Sequence, residues 1–166
     1  MKIELKTYIS CPIDDVWAIA ADDFTGIQRW SESVVTSEAL RDLDAVGESP
    51  MAGRYCTFTD DPDGFAARET ITHYDKANHV LKFDVVPVHA PKALPLHKNQ
   101  VELSLRALGP SETELRWVVV PDLKPHGYLL YPMLKFGLAK SFRGILAELK
   151  QYAEQQHSTV QLGATG

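Results

Sequence analysis

Residues 134–152 read LKFGLAKSFRGILAELKQY, and this segment is the most informative part of the sequence about the fold. Its apolar residues recur every three or four positions, which places them on one face of an α-helix. That face consists of Leu134, Leu138, Phe142, Ile145, Leu149 and Tyr152. Lys140 and Arg143 fall roughly opposite. The pattern predicts a helix from about Pro132 to Gln155, roughly 35 Å long at 1.5 Å per residue.

The residues before this helix predict an antiparallel sheet. Apolar and polar residues alternate with the period of two that is typical of strands with one buried face. The alternation is found in residues 3–9, 80–86, 101–107 and 115–119. The sequence Asp61-Pro62-Asp63-Gly64 has turn chemistry and predicts a hairpin between strands at 55–60 and 65–75. Consecutive strands joined by short loops pair with their neighbours, so we expect a meander.

Two short helices are predicted after the first strand. Pro12 suits the first turn of a helix, and the acidic residues that follow favour its positive end. A second short helix or turn is expected from Asp23 to Trp30. Residues 157–166 lack periodicity and are expected to form a flexible tail, so the domain is predicted to span residues 1–156.

The expected architecture is α+β. One helix cannot cover both faces of a sheet of about seven strands, so a curved antiparallel sheet has to wrap around the long C-terminal helix. Gly137 and Gly144 lie on the same flank of that helix, and each costs about 1 kcal/mol relative to alanine. We expect their small size to be required, either by the close approach of a strand backbone or by room for a ligand.

A long loop is predicted at Pro87–Pro95, because three prolines remove backbone donors there. Loops of this length in compact domains are often lids or binding loops, and a simple surface loop fits the sequence equally well.

Composition excludes several classes of partner. The net charge is −5 and no basic stripe is present, which argues against nucleic acid. Cys11 and Cys56 are too few for a disulfide framework. Neither they nor the six histidines show the spacing of a metal site, so we expect no metal and no cofactor.

No membrane span or export signal is expected. Residues 1–6 alternate charged and apolar side chains, unlike a secretion signal. Residues 129–139 form the most apolar stretch, which is shorter than the roughly 20 residues that a span needs. The protein is therefore expected in the cytoplasm.

The order of short motifs along residues 1–155 resembles the START-like (SRPBCC) superfamily, and more narrowly its polyketide cyclase/dehydrase and lipid transport group. The motifs are Pro12-Ile13-Asp14-Asp15-Val16-Trp17, Asp23-Phe24 with Trp30, the Gly64 hairpin with Arg68-Glu69, Tyr74-Asp75, Leu94-Pro95 and Leu149-Lys150 with Tyr152. The resemblance implies a helix-grip fold with a ligand cavity between sheet and helix, closed by loops at 61–65 and 94–99. It implies no particular reaction, because members bind lipids, hormones and polyketides and only some are enzymes.

The leading functional prediction is binding of a hydrophobic small molecule, lipid or polyketide-like, in that cavity. Burial of apolar ligand surface, at roughly 25 cal/mol per Å², would drive it. The predicted lining is Phe58, Ile71, Phe83, Val85, Leu103, Trp117, Leu134, Leu138 and Phe142.

Two other functions remain open from the sequence. One is a polyketide cyclase or dehydratase, which needs an acid or base in the cavity. Glu69 and His73 are the candidates, because strand alternation places them on one face with Ile71 between them. The other is an interaction protein whose cavity is filled by side chains.

Overall fold

The computed structural model describes residues 1–165 as one sheet with helices on one side. The seven strands are β1 (Ile3–Ile9), β2 (Thr36–Ala39), β3 (Gly53–Thr57), β4 (Ala66–Asp75), β5 (Val80–Val88), β6 (Leu96–Gly109) and β7 (Glu112–Leu123). The helices are α1 (Ile13–Trp17), a π-helical turn (Ala18–Asp22), a first 3-10 helix (Phe24–Arg29), a second 3-10 helix (Pro125–Leu130) and α2 (Tyr131–Ala164).

Strands β2 to β7 form an antiparallel meander, and β1 is added at its edge beside β7. The strand order is β1-β7-β6-β5-β4-β3-β2, so only β1 lies away from its sequence neighbours. It pairs with β7, with Leu5 opposite Trp117. This arrangement, with the long C-terminal helix and the short helices after β1, confirms the predicted helix-grip fold.

The two faces of the sheet differ sharply in character. The concave face is apolar, and α1, the π-helical turn, the first 3-10 helix and α2 cover it. The convex face carries cross-strand ion pairs, such as Glu4–Arg116 at 2.7 Å and Lys82–Glu102 at 3.0 Å. The paired side chains are 31–48% exposed, so this face is a solvated surface. Exposed pairs of this kind contribute little to stability.

The sheet has two ends, which we call the closed end and the mouth. The closed end contains the β4–β5 and β6–β7 turns and α1. The mouth contains the β3–β4 turn, the β5–β6 loop and the second 3-10 helix. Because α2 follows that 3-10 helix and finishes beside α1, it runs from the mouth to the closed end.

Two predicted boundaries are wrong. The long helix does not end near Gln155 but continues to Ala164, although every side chain from Ser158 to Thr165 is exposed. The predicted tail at 157–166 is therefore helical over most of its length, and Gly166 lies outside the described residues. Strand β6 begins at Leu96, so most of the loop predicted at 94–99 is strand.

The expectation for Gly137 and Gly144 is also wrong. A Cβ atom added at either position would meet nothing within 4 Å, because both glycines face outward. Neither a strand backbone nor a ligand space requires their small size, and nothing else in the structure explains them.

Candidate functional site

The apolar face of α2 is buried very differently along its length. In the closed half of the helix, residues 145–157, the side chains of Leu146, Leu149 and Ala153 are at most 3% exposed. In the mouth half, residues 131–144, no side chain is fully buried. Leu138 and Phe142 still pack against the core there, but remain half-buried. The helix is thus seated at one end and loosely covered at the other.

A row of aromatic rings lies beneath the mouth half of α2. Phe24 contacts Phe83 with ring centroids 5.1 Å apart, and Phe83 contacts Trp117 at 5.8 Å. Trp117 in turn contacts Phe142 on α2 at 5.9 Å. These contacts link the first 3-10 helix, the sheet and α2.

The structure brings together seven of the nine residues predicted to line the cavity. They belong to one cluster on the concave face: Ile71, Phe83, Val85, Leu103, Trp117, Leu138 and Phe142. Phe58 lies apart, stacked on Phe65 and packed against a second cluster that contains Ile27 and Val34. Leu134 is half-buried and belongs to neither cluster.

Five buried polar side-chain atoms among residues 1–165 have no hydrogen-bond partner, and two of them belong to strands of the sheet. These two are Nε1 of Trp117 and Oδ1 of Asn99. Asn99 lies on the concave face of β6, opposite Val85 on β5 and Pro121 on β7. Buried polar groups are nearly always paired, so these two could hydrogen-bond a ligand. Sequence analysis missed Asn99, although it falls in phase with Val101 in the alternation of β6.

A buried ion pair joins β3, β4 and the first 3-10 helix. Arg54 donates from Nε to Oε2 of Glu69 at 2.8 Å, and its Nη2 lies 2.6 Å from the same oxygen. Its Nη1 donates to the backbone oxygen of Phe24, and the guanidinium lies 3.8 Å over the Phe24 ring. The charge of Glu69 is therefore balanced by that of Arg54. The sequence did not reveal this partner, because the pairing depends on the register of β3 against β4.

The prediction that Glu69 and His73 share a face is wrong. The pairing of β4 with β5 shifts register between Ile71 and His73, which marks a β-bulge. The extra residue turns His73 to the convex face, where it lies exposed opposite Lys82, while Tyr74 packs into the core instead. Glu69 stays on the concave face beside Val85. The two side chains cannot act together on one bound molecule.

The mouth is bordered by two loops and the second 3-10 helix. His89 on the β5–β6 loop lies 3.2 Å from the carbonyl oxygen of Gly64 on the β3–β4 turn. The backbone N–H of Lys124 donates to the oxygen of Pro95 at 3.0 Å. A Cβ atom on Gly127 would lie 2.8 Å from that same oxygen, so glycine is needed for this close approach.

Neither cysteine is set up as a nucleophile in this state. Burial raises the pKa of the Cys11 thiol, and of the Cys56 thiol, to about 11. Both are fully buried and protonated at neutral pH, whereas the thiolate is the reactive form.

Helices in residues 1–165 lack the combination of length and apolar character that crossing a bilayer requires.

Comparison with known proteins places the fold in context. The family model for polyketide cyclase / dehydrase and lipid transport proteins matches residues 1–154. No curated protein sequence matches significantly. Among solved structures, a START superfamily protein from Mycobacterium smegmatis is similar, with a TM-score of 0.71, 14% identity and coverage of 93% of this chain and 98% of that chain.

Two further similar structures are named as biosynthetic proteins. The di-domain ARO/CYC BexL from the BE-7585A biosynthetic pathway has a TM-score of 0.69 at 13% identity, covering 91% of this chain and 45% of that chain. A norcoclaurine synthase point mutant from Thalictrum flavum has a TM-score of 0.67 at 11% identity, covering 94% and 95%. At such identities the likeness concerns the fold alone.

Proposed function

Since the chain belongs to the polyketide cyclase/dehydrase and lipid transport family, we propose that it binds one hydrophobic small molecule between the mouth half of α2 and the concave face of the sheet. The observation that carries the proposal is the incomplete burial of the mouth half of α2. Leu138 and Phe142 reach the core from a helix segment with no fully buried side chain. A ligand there would cover apolar surface that the protein leaves half-exposed, which favours binding.

The two unpaired polar atoms on the sheet narrow the class of ligand. The indole N–H of Trp117 is a donor and suits a carbonyl, whereas Oδ1 of Asn99 is an acceptor and suits a hydroxyl group. A ligand without a carbonyl or a hydroxyl group would leave these two buried atoms without hydrogen bonds. We therefore expect the site to bind pure hydrocarbons more weakly than ligands that carry such a group. The proposed ligand is a mainly apolar molecule with a carbonyl or hydroxyl group, as in a fatty acid or a polyketide.

Trp117 provides a direct readout of binding. We propose to titrate the protein with a long-chain fatty acid and with an aromatic ketone while following tryptophan fluorescence, and to record native mass spectra of protein from its own host. Binding should change the emission of wild-type protein, and Trp117→Phe should lose most of the change. Trp30→Phe is the matched control and should keep it, because Trp30 lies near Tyr152 at the closed half of α2.

An unchanged emission with both probes, together with native spectra that contain no bound lipid or aromatic compound, would contradict the proposal. A response that depends on Trp30 and not on Trp117 would place binding elsewhere and would contradict it equally. Transport of a lipid and the predicted cytoplasmic location stay predictions.

Catalysis is the second candidate, and two of the similar structures are named as enzymes or biosynthetic domains. The acid/base pair predicted for it does not meet on one face, and Glu69 is held by Arg54. If turnover of a polyketide-like substrate were found, His73→Ala should leave it unchanged, because His73 lies on the convex face. Any loss of turnover in Glu69→Gln would then reflect Glu69 alone and not a Glu69–His73 pair. Loss of turnover in His73→Ala would contradict this assignment.

A further inference from the structure

Three potential metal ligands meet at the closed end, away from the proposed ligand site. They are the Sγ of Cys11, a carboxylate oxygen of Asp15 and a ring nitrogen of His157, all within 4.8 Å of one another. Cys11 follows β1, Asp15 lies in α1, and His157 lies near the end of α2. The spacing that sequence analysis sought could not reveal this set, because its histidine lies more than 140 positions from its cysteine.

One distance in this cluster already matches that between two ligands of a tetrahedral metal ion, and the others are at most 4.8 Å. Nδ1 of His157 lies 3.6 Å from Oδ2 of Asp15. Ligand atoms on a tetrahedral zinc ion, at about 2.0–2.3 Å from the metal, are roughly 3.3–3.6 Å apart. Side-chain adjustments of about 1 Å would therefore complete the geometry, and the exposed Asp15 offers the ion a path from solvent.

We propose that Cys11, Asp15 and His157 bind one zinc ion, with water in the fourth position. Sulfur, nitrogen and carboxylate oxygen are the ligand types that zinc selects in proteins. One thiolate and one carboxylate balance the charge of Zn²⁺, and the histidine binds as neutral imidazole. The zinc–sulfur bond replaces the S–H bond of Cys11, and the proton passes to solvent.

The surroundings of the three ligands hold them in place. The carbonyl oxygen of Cys11 accepts a hydrogen bond from Oγ1 of Thr113 at 2.8 Å. Gln161 lies 3.0 Å from Nε2 of His157, on the ring side opposite Asp15. Rotation of its amide by 180° presents an oxygen that accepts a hydrogen bond from Nε2–H, which leaves the Nδ1 lone pair free to bind metal.

One turn before His157, Glu154 fixes α2 against the end of β1. Its Oε1 accepts from the backbone N–H of Ser10 at 2.9 Å and from Lys150 at 2.9 Å. The site would thus clamp α1 to the part of α2 that extends beyond the family match at residue 154. It is independent of ligand binding at the mouth.

Cobalt(II) tests the site because its visible absorption reports tetrahedral geometry and thiolate ligation. Full-length, tag-free protein stripped of metal should bind one cobalt ion with a tetrahedral spectrum and a thiolate charge-transfer band, and one equivalent of zinc should displace it. Cys11→Ser should lose the charge-transfer band. His157→Ala, which alters a side chain near the end of the helix, should weaken zinc binding at least about tenfold.

His79→Ala is the matched control. His79 also pairs with an aspartate of α1, with Nε2 lying 3.1 Å from Oδ1 of Asp14, but it has no cysteine beside it. Its zinc affinity should stay within about twofold of wild type. The proposal is overturned if stripped wild-type protein gives no tetrahedral cobalt spectrum, or if His157→Ala, with an unchanged circular dichroism spectrum, binds zinc as tightly as His79→Ala.

Discussion

The two halves of α2 carry the same kind of apolar stripe but are buried to different extents. At the closed end, Leu149 and Ala153 are completely enclosed, and α2 is tied to the end of β1 by Glu154. At the mouth, the stripe residues Leu138 and Phe142 are only half-buried, and the neighbouring Met133 and Phe136, outside the stripe, are 66% and 70% exposed. A periodic stripe therefore predicts a helix without predicting how much of it is packed. On our proposal, the packed half maintains the fold and the loosely packed half binds the ligand.

The largest expected change in the free energy of unfolding concerns the Arg54–Glu69 ion pair on the concave face. We assign this pair a structural role and not a role in ligand binding. Glu69→Ala leaves Arg54 buried without its partner and should lower the free energy of unfolding by about 3–5 kcal/mol. Urea denaturation measures this. Replacing both residues by apolar ones of similar volume should recover most of the loss, and a double variant no more stable than Glu69→Ala would contradict the structural role.

A matched pair of leucine truncations tests the comparison itself. Leu149→Ala removes a fully buried side chain and should cost about 2–5 kcal/mol, whereas Leu138→Ala should cost less than about 2 kcal/mol. Thermal and urea unfolding of the two variants provide the values. Equal losses would mean that both halves of α2 contribute alike to the core, contrary to this account.

Substitutions of glycine by alanine should change the free energy of unfolding by smaller amounts, and in opposite directions on α2 and in the second 3-10 helix. Gly137→Ala and Gly144→Ala should each raise the free energy of unfolding by about 0.5–1 kcal/mol, because an added Cβ meets nothing and alanine is the better helix former. Gly127→Ala should lower it, because the new Cβ would lie 2.8 Å from the backbone oxygen of Pro95. Stabilisation by all three substitutions would show that the contact at the mouth is not tight.

The smallest expected effect is a pH dependence at the closed end. Burial raises the pKa of Asp22, but hydrogen bonds from Lys76 and Tyr74 outweigh it and hold the pKa below its usual 3.8. A lowered pKa in the folded state adds stability at higher pH, and this is lost as the pH falls through the folded value. Asp22→Asn should therefore be less stable than wild type at pH 7, with a difference that shrinks below about pH 4. A difference that grew in acid would be inconsistent with this sign.

Sequence alone predicted the sheet and the long helix, and seven of the nine residues predicted to line the cavity lie in the apolar cluster, because alternation and helical period report directly on buried faces. The predicted orientation of His73 was wrong because one bulged residue reverses the sheet face on which each later side chain of β4 lies. No residue type in the sequence marks the bulge. Arg54 was missed because its partner is defined by strand pairing. The end of α2 was misplaced because residues 158–164 are exposed, so burial imposes no period on them.

Amide hydrogen exchange along α2, with and without a bound long-chain fatty acid, measures the difference between the two halves of the helix and its link to ligand binding. We expect residues 131–144 to exchange faster than residues 145–157 in the free protein, and the fatty acid to slow exchange in the first segment while leaving the second unchanged. Uniform protection along the helix in the free protein, or protection by the ligand confined to the closed half, would contradict this expectation.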